Sequence, residues 1–475
     1  MTANPYHQIP YNTVPRLATH PDRLAAVGTF FGMAPAPVTH CRVLEIGCGN
    51  GGNLIPMAYA LPESRFTGVD LASDAIAAGR ATAAALDLQN ISLIPADLCG
   101  IDAGYGEFDY ILAHGVYSWV PPVVRDRLVA VCRERLAPDG IAFISYNVYP
   151  GRHVRQMLRE MTLYHTRNLA DPAERIRQAR WFLRFLRDGR AVSSPWQALL
   201  DAEIDALLER DDDSLCHDDL AESNDPVYFR DFAAHAARHG LQYLGDADPH
   251  EMFDQAGRLA WLEGDVIERE QYLDFLRVRR FRQTLLCRPE IHLDRQPAPA
   301  LMERFLFSAP AQTLEEGKLQ GLHGIRITAV HESVNRVAAA LGETYPLPLA
   351  FEELVPYAGG RNALREILFG LMVSGFADIH VYDFPCQETV TAKPRASRLT
   401  RHQASLSPYV TGACPHMVKL DEVARHLVCL MDGTRDHRQL AKDLSSVPGA
   451  PEAARIGEHL PASLEWLARM ALLEA

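Results

Sequence analysis

None of the nine cysteines, scattered from Cys41 to Cys429, forms a CxxC pair, which argues against a zinc ribbon and for thiols kept in a reducing compartment. Several, such as Cys48 and Cys132, fall inside apolar patterns, where free cysteine packs as a small hydrophobe. No segment offers the roughly 18 uninterrupted apolar residues of a membrane span. The most apolar stretch, 367–377, is too short and holds Gly370 and Gly375. The N-terminal MTANPYHQIPYN has neither a basic region nor an apolar run, so no secretory signal is expected and a cytoplasmic location is. Positive charge is scarce as well. Forty-seven Lys and Arg face 60 Asp and Glu, a net −13 that argues against a general nucleic-acid binder. Such an acidic chain favours a basic substrate, as a mild long-range bias.

What is present is ordinary folded-protein composition, 48% hydrophobic and 23% charged, over 475 residues, enough for two or three domains. A Pro- and Tyr-bearing lead-in, residues 1–40, ends in a short helix near 22–31 and is expected to cap a cofactor site. From 41 to 150 strand-like runs (41–47, 65–71, 91–98, 108–115, 140–147) alternate with helical stretches (51–61, 73–87, 122–136), which predicts a parallel, doubly wound α/β sheet. Three helical stretches then fill an insertion at 151–223. Within 224–294 a helix over 224–240, capped by Asn224 or Asp225, precedes two strands at 241–247 and 280–287 that complete the sheet. After a QPAPA break at 296–300, two helix-rich, winged-helix-like units are expected at 300–383 and 415–475, joined by a linker over 384–414.

The chemistry concentrates in VLEIGCGNGGN (43–53). Gly47 lets the chain turn out of the strand, Gly49 leaves room for a ligand against the backbone, and Gly51 and Gly52 open a helix whose N–H groups face it. Gly47, Gly49 and Gly52 also fit a dinucleotide pattern, and by itself Asp70, closing the second strand where ribose hydroxyls would lie, suits NAD equally well. Other features favour S-adenosyl-L-methionine (AdoMet). Glu45 completes ExGxGxG, Ala96-Asp97-Leu98 ends the third strand with a carboxylate for the adenine amine, and Leu136-Ala137-Pro138-Asp139-Gly140 precedes the fifth. Leu71 and Leu98, beside the two acids, join the expected cofactor set.

The methyl group would point to the ends of strands 4 and 5, which read HGVYSW (114–119) and YNVY (146–149). Methyl transfer to an amine needs a neutral, oriented nucleophile, which an apolar or aromatic pocket favours. His114, Tyr117, Tyr146 and Asn147 are therefore the catalytic candidates, His114 also flanking the methionine end. Each has a plainer reading as a core or rim residue. Strand 4 lacks the Asn/Asp-Pro-Pro-aromatic tetrapeptide that clamps a nucleobase amine.

His235 and His239 stand at metal-pair spacing on a helix, with Asp231 one turn earlier, yet three polar residues on a solvated face explain them more simply and no metal is expected. The second helix-rich unit carries seven basic against nine acidic residues over 416–475, so protein contacts, substrate docking or homodimerisation suit it better than DNA.

With those residues in view, the chain resembles a bacterial family of class I methyltransferases carrying a methyltransferase regulatory domain, to which the rickettsial outer-membrane-protein lysine methyltransferases belong. The resemblance rests on THPDRLAA (19–26), VLEIGCGNGGNLIPMA (43–58), AHGVYSWVP (113–121), NVYPG (147–151), NDPVYFRDF (224–232), GLQYLGDA (240–247), RRFRQTLLC (279–287) and an LDGT-like Leu430-Met431-Asp432-Gly433-Thr434. It implies a Rossmann-like class I fold, protein-lysine N-methylation and a cofactor set of Glu45, Gly47, Gly49, Gly51, Asn53, Asp70 and Asp97. A small-molecule N- or O-methyltransferase and a non-catalytic AdoMet-binding protein are the competing expectations.

Overall fold

The protein is described by a computed structural model that covers residues 13–189, 194–254, 256–315, 317–329, 331–386, 389–447 and 452–474. The lead-in's Pro5, Tyr6, Pro10 and Tyr11 lie outside the described residues.

The run RVLEI forms β1 (Arg42–Ile46), buried along all but its first residue, as a central strand must be. β2 (Arg65–Asp70) lies parallel to it on one side, with Glu45 opposite Gly68, and carries β3 (Ile91–Pro95) beyond. On the other side β4 (Phe108–Ala113) sets Leu112 opposite Glu45 and leads to β5 (Leu136–Asn147). The expected LAPDG turn is a bulge inside β5. The register against β4 slips between Phe108 and Tyr110, and Pro138 and Asp139 are pushed into solvent. The two later strands do complete the sheet. β6 (Gln242–Asp246) and β7 (Phe281–Cys287) add antiparallel pairings, giving the order β3-β2-β1-β4-β5-β7-β6.

The helix α1 (Pro21–Phe30) starts with Pro21 at its first position, and His20 Nδ1 accepts the Asp22 amide as its cap. All ten residues are buried, charged ones included, because α1 lies between the sheet and the first C-terminal unit. Crossovers α2 (Leu54–Ala60), α3 (Ser73–Ala85) and α4 (Pro122–Arg135) follow their strands. The insertion holds α5 (His153–Thr166), α6 (Pro172–Asp188), α7 (Pro195–Leu208) and one turn, α8 (Asp212–Ser214). Its own small core gathers Leu158, Ile176, Leu183, Ile204 and Leu215. Arg155 ties it together, forking onto Asp219 with two 2.8 Å bonds and reaching Glu203 at 3.0 Å.

Helix α9 (Phe229–Arg238) begins after Tyr228, not at the expected caps. Asn224 is instead bonded to Asn147, and Asp225 pairs with Arg125. Next comes α10 (Val266–Arg277), capped by Asp265.

In the first C-terminal unit, β8 (Leu306–Ser308) pairs with β9 (Leu349–Ala350) and β10 (Asp378–His380), around α11 (Glu332–Thr344), α12 (Phe351–Ala358) and α13 (Arg361–Val373). It shares one apolar core with the sheet's α1 face. Asp22 on α1 accepts hydrogen bonds from His380 Nδ1 (2.7 Å) and the amides of Val381 and Tyr382.

The linker expected over 384–414 is a correction. That stretch contains α14 (Arg398–Leu406) and β11 (Tyr409–Thr411), and Ala396, Ala404 and Val410 enter the second unit's core. Its helices include α15 (Glu422–Leu430), α16 (His437–Leu444) and α17 (Ala453–Arg469). Spaced apolar residues had been masked by polar neighbours on an amphipathic helix. Among the described residues no helix is long and apolar enough to cross a membrane.

Candidate functional site: a crevice at the carboxyl ends of the first strands

Between β1 and α2 the chain turns through Gly47, Gly49 and Gly51, all at positive φ (77°, 54° and 74°), which side chains with a Cβ rarely adopt. The amides of Gly47 and Cys48 both reach the Val69 carbonyl, locking the turn to β2. A Cβ on Gly47 would stand 2.7 Å from Val116 Cγ2. The expected helix opening at 51 is corrected. Helix α2 starts at Leu54, and the Gly51 and Gly52 amides are spent on Cys48 O and on Thr13 Oγ1.

Asp70, half-buried at the end of β2, accepts Gly49 N at 2.7 Å on one oxygen and Ala72 N at 2.8 Å on the other. It therefore holds the glycine turn in place, with its remaining lone pairs available to a diol. Next to it Leu71 is 65% exposed, an apolar side chain without a core to enter, suited to cover a flat base. Asp97 is exposed and accepts Cys99 N on Oδ1, while Leu98 packs inward beside it.

The other end of the crevice is built around Glu45, buried in the middle of the sheet. Asn53 Nδ2 donates to Glu45 Oε1 at 2.8 Å, and Asn53 Oδ1 accepts the Arg16 amide at 3.0 Å. Thr19 completes the cluster through its hydroxyl. Glu45 Oε2 is buried and has no hydrogen-bond partner among the described residues. Burial pushes the Glu45 carboxyl up to about 8, with Asn53 and Arg16 opposing the rise. An unpartnered buried carboxylate oxygen is costly unless a donor arrives, and the α-ammonium of AdoMet's methionine end is such a donor. The glycine turn, Asp70, Leu71 and Glu45 thus fit a nucleoside carrying an amino-acid tail.

The lead-in does reach this crevice. Thr13 Oγ1 donates to Asn50 Oδ1 at 2.7 Å and accepts the Gly52 amide at 2.8 Å. Thr13, Arg16 and Thr19 were missed by sequence reasoning, because an aperiodic Pro-rich segment carries no signal for side chains that act through the fold. Thr19 alone had a trace, in the THPDRLAA string.

The four catalytic candidates separate sharply. His114 lies at the crevice, parallel to Phe143 (ring centroids 6.2 Å apart) and tilted against Phe281 (6.0 Å). Burial, aided by the Arg16 charge, lowers it to about 3, so its imidazole is neutral at physiological pH. Tyr146 is a correction. It is fully buried on the opposite face of the sheet, stacked on Phe232 at 4.0 Å, with its hydroxyl bonded to Thr284 Oγ1 at 2.8 Å. Tyr117 joins the same aromatic stack, and its hydroxyl is 2.9 Å from His235 Nδ1. Neither phenol is open to a substrate. Asn147 is fully buried too: its Nδ2 donates to Asn224, its Oδ1 accepts from Arg152, and its amide is held by Ser118 Oγ. It braces the end of β5 instead of facing an amine.

Beyond β5 an aromatic rim borders the crevice. Tyr149 stacks on His153 at 4.1 Å and tilts against Tyr228 at 5.5 Å. Gly151 is pressed against the strand leading into β7, where a Cβ would stand 2.2 Å from Val278 O. Val278 and Phe275 continue the rim, 59% and 44% exposed.

The chain is similar to known methyltransferases. Residues 43–140 match the model of a methyltransferase domain, 211–288 that of a predicted methyltransferase regulatory domain, and 392–447 that of the C-terminal winged helix domain of PKMT. The uncharacterized protein RP789 of Rickettsia prowazekii is 31% identical over 92% of this chain and 85% of its own length. A second protein of that organism, RP028, is 34% identical over 50% of this chain and 96% of its own. The structure of PKMT2 from Rickettsia typhi superimposes with a TM-score of 0.86 at 26% identity, covering 98% of this chain and all of that one. The same protein in complex with AdoHcy gives 0.84 at 27% identity.

Proposed function

Because the chain belongs to the bacterial family of class I methyltransferases with a methyltransferase regulatory domain, we propose that it transfers methyl groups from AdoMet to lysine side-chain amines of a protein. The observation that carries the reading is the unpartnered Glu45 oxygen, two residues before the glycine turn, at a crevice whose far side is an aromatic rim. When bound, AdoMet supplies a methyl carbon made electrophilic by its sulfonium. Glu45 would take the α-ammonium, Asp70 the ribose hydroxyls, Asp97 the adenine amine, and Leu71 and Leu98 the faces of the base.

Displacement at that carbon needs a lysine nitrogen with a free lone pair, and this chain's contribution is to hold and dehydrate it. His114, Phe143 and Phe281 bring no charge to the wall near the methyl end, which favours the neutral amine. Tyr149, His153 and Tyr228 suit the aliphatic stem and, by cation–π attraction, the methylated ammonium product. The open, apolar rim suits a polypeptide better than a small metabolite. We place the reaction in the cytoplasm, in keeping with nine cysteines none of which forms a disulfide.

The test is transfer from methyl-labelled AdoMet into a cell lysate, followed by mass spectrometry of the labelled species. Methyl groups on protein lysines support the proposal. Label confined to small molecules, or to other side chains, would sink it.

A further inference from the structure

Helix α9 places His235 and His239 one turn apart, and the fold supplies them with a third ligand that sequence spacing could not reveal. Asp126, on α4, sets Oδ1 at 3.2 Å from His235 Nε2 and 2.8 Å from His239 Nε2. Asp231, the residue at the expected spacing, instead lies 3.4 Å from the Arg230 side chain. We propose that Asp126, His235 and His239 bind one divalent first-row transition ion, with zinc the best fit.

The three ligand atoms lie within 4.8 Å of one another. Ligands on a tetrahedral zinc with bonds of about 2.0–2.1 Å stand roughly 3.3–3.4 Å apart. Small side-chain rotations convert one arrangement into the other. The ion replaces the protons that the imidazoles now share with the carboxylate. Two imidazoles and one carboxylate suit zinc, cobalt, nickel or copper, whereas magnesium and calcium prefer all-oxygen sets.

A supporting contact already orients the first ligand. Tyr117 Oη is 2.9 Å from His235 Nδ1: it donates to that nitrogen while Nε2–H faces Asp126, and accepts Nδ1–H once an ion takes the Nε2 lone pair. His235 is buried and rigidly held, while Asp126 is exposed and His239 half-buried. The ion would thus enter from solvent and keep a position for water. Once bound, it would staple α4, in the methyltransferase domain, to α9, in the regulatory domain, directly beneath the Tyr117–Tyr146–Phe232 stack.

The experiment uses the full-length, untagged protein freed of metal by chelation, titrated with zinc by calorimetry and with cobalt by absorption spectroscopy. We expect one zinc per chain, at least tenfold weaker binding in Asp126→Asn and in His239→Ala, and a zinc-dependent rise in Tm in the parent protein only. Both substitutions sit on the exposed side of the site, so the fold survives them. Cobalt should give visible d–d bands without a thiolate charge-transfer band. No binding, binding indifferent to both substitutions, or a thiolate band marking an ion held by cysteines would each overturn the proposal.

Discussion

Asn53 and Glu45 are joined by a 2.8 Å hydrogen bond that satisfies only one of the two buried carboxylate oxygens. Because burial holds the Glu45 carboxyl up to about 8, it carries its proton at pH 7 in the free protein. An arriving α-ammonium, itself charged below about pH 8, favours the ionised form and expels that proton. AdoMet affinity should therefore rise as pH is raised from 6 to 8, approaching tenfold per unit at its steepest. Calorimetry in buffers of different ionisation enthalpy should show a proton released. Glu45→Gln should bind about tenfold more weakly at pH 8 and lose the pH slope. An equal slope in both proteins would remove Glu45 from the site.

Asp70 carries two loads, the glycine turn through Gly49 and the diol expected beside it. Asp70→Ala should weaken AdoMet binding by about a hundredfold, the scale of losing charge-assisted hydrogen bonds worth roughly 3 kcal/mol. The far-UV circular dichroism should be unchanged. Unaltered calorimetric binding would count decisively against the assignment.

Gly52 is small because Thr13 crosses it. A Cβ at that position would lie 2.0 Å from the Thr13 carbonyl oxygen. Gly52→Ala should lift the lead-in off the turn, weakening AdoMet about tenfold while leaving the sheet intact. Susceptibility of residues 13–20 to protease should rise in parallel. Parent-like proteolysis and affinity together would show that the lead-in does not govern the crevice.

The sheet and its glycine turn were legible because they depend on local signals: alternating strand and helix patterns, and glycines at positions that need positive φ. What the pattern could not carry is long-range pairing. Nothing local marks Asp22 and Arg23, at the start of a short helix, as buried against His380 and Asp378 of the first C-terminal unit. Asp126 had no local feature linking it to His235, 109 residues away. One error was avoidable. Tyr146 and Asn147 are consecutive in β5, and successive side chains on a strand face opposite sides of the sheet, so both could not line the same crevice. Tyr146 follows the parity of Ala142 and Ile144, the face covered by α4 and α9.

His20 caps α1 by accepting the Asp22 amide on Nδ1, a role open only to unprotonated imidazole. Burial lowers it to about 4, partly countered by Asp22. The unfolded chain binds that proton from about pH 6.5 downward, so stability is lost as pH falls from 6.5 toward 4, by about 2 kcal/mol at pH 5. His114 and His416, lowered to about 3 and about 4 by burial, steepen the same window. His20→Asn keeps a capping oxygen and removes the titration. Its Tm should drop less between pH 8 and pH 5 than the parent's. Parallel Tm profiles would show that His20 contributes nothing to the acid sensitivity.

Arg282, the second residue of β7, is fully buried, and the packing of the regulatory segment turns on it. Its Nε bonds both oxygens of Asp274 (3.1 and 3.0 Å), Nη2 reaches Glu270 at 2.9 Å, and the guanidinium lies 4.0 Å over the Phe229 ring. One cation thus compensates acids on α10 and stacks on α9. Arg282→Met fills much of the volume but takes away the buried Glu270 carboxylate's partner and leaves Asp274 with Arg279 alone, 3.3 Å off, which should cost about 3–5 kcal/mol in denaturant unfolding. Adding Glu270→Gln and Asp274→Asn removes the stranded charges and should recover most of that loss. The recovery matters more than the loss, since any large core substitution destabilises. If the triple variant were no more stable than Arg282→Met, shape and not charge would hold α9 and α10 to the sheet.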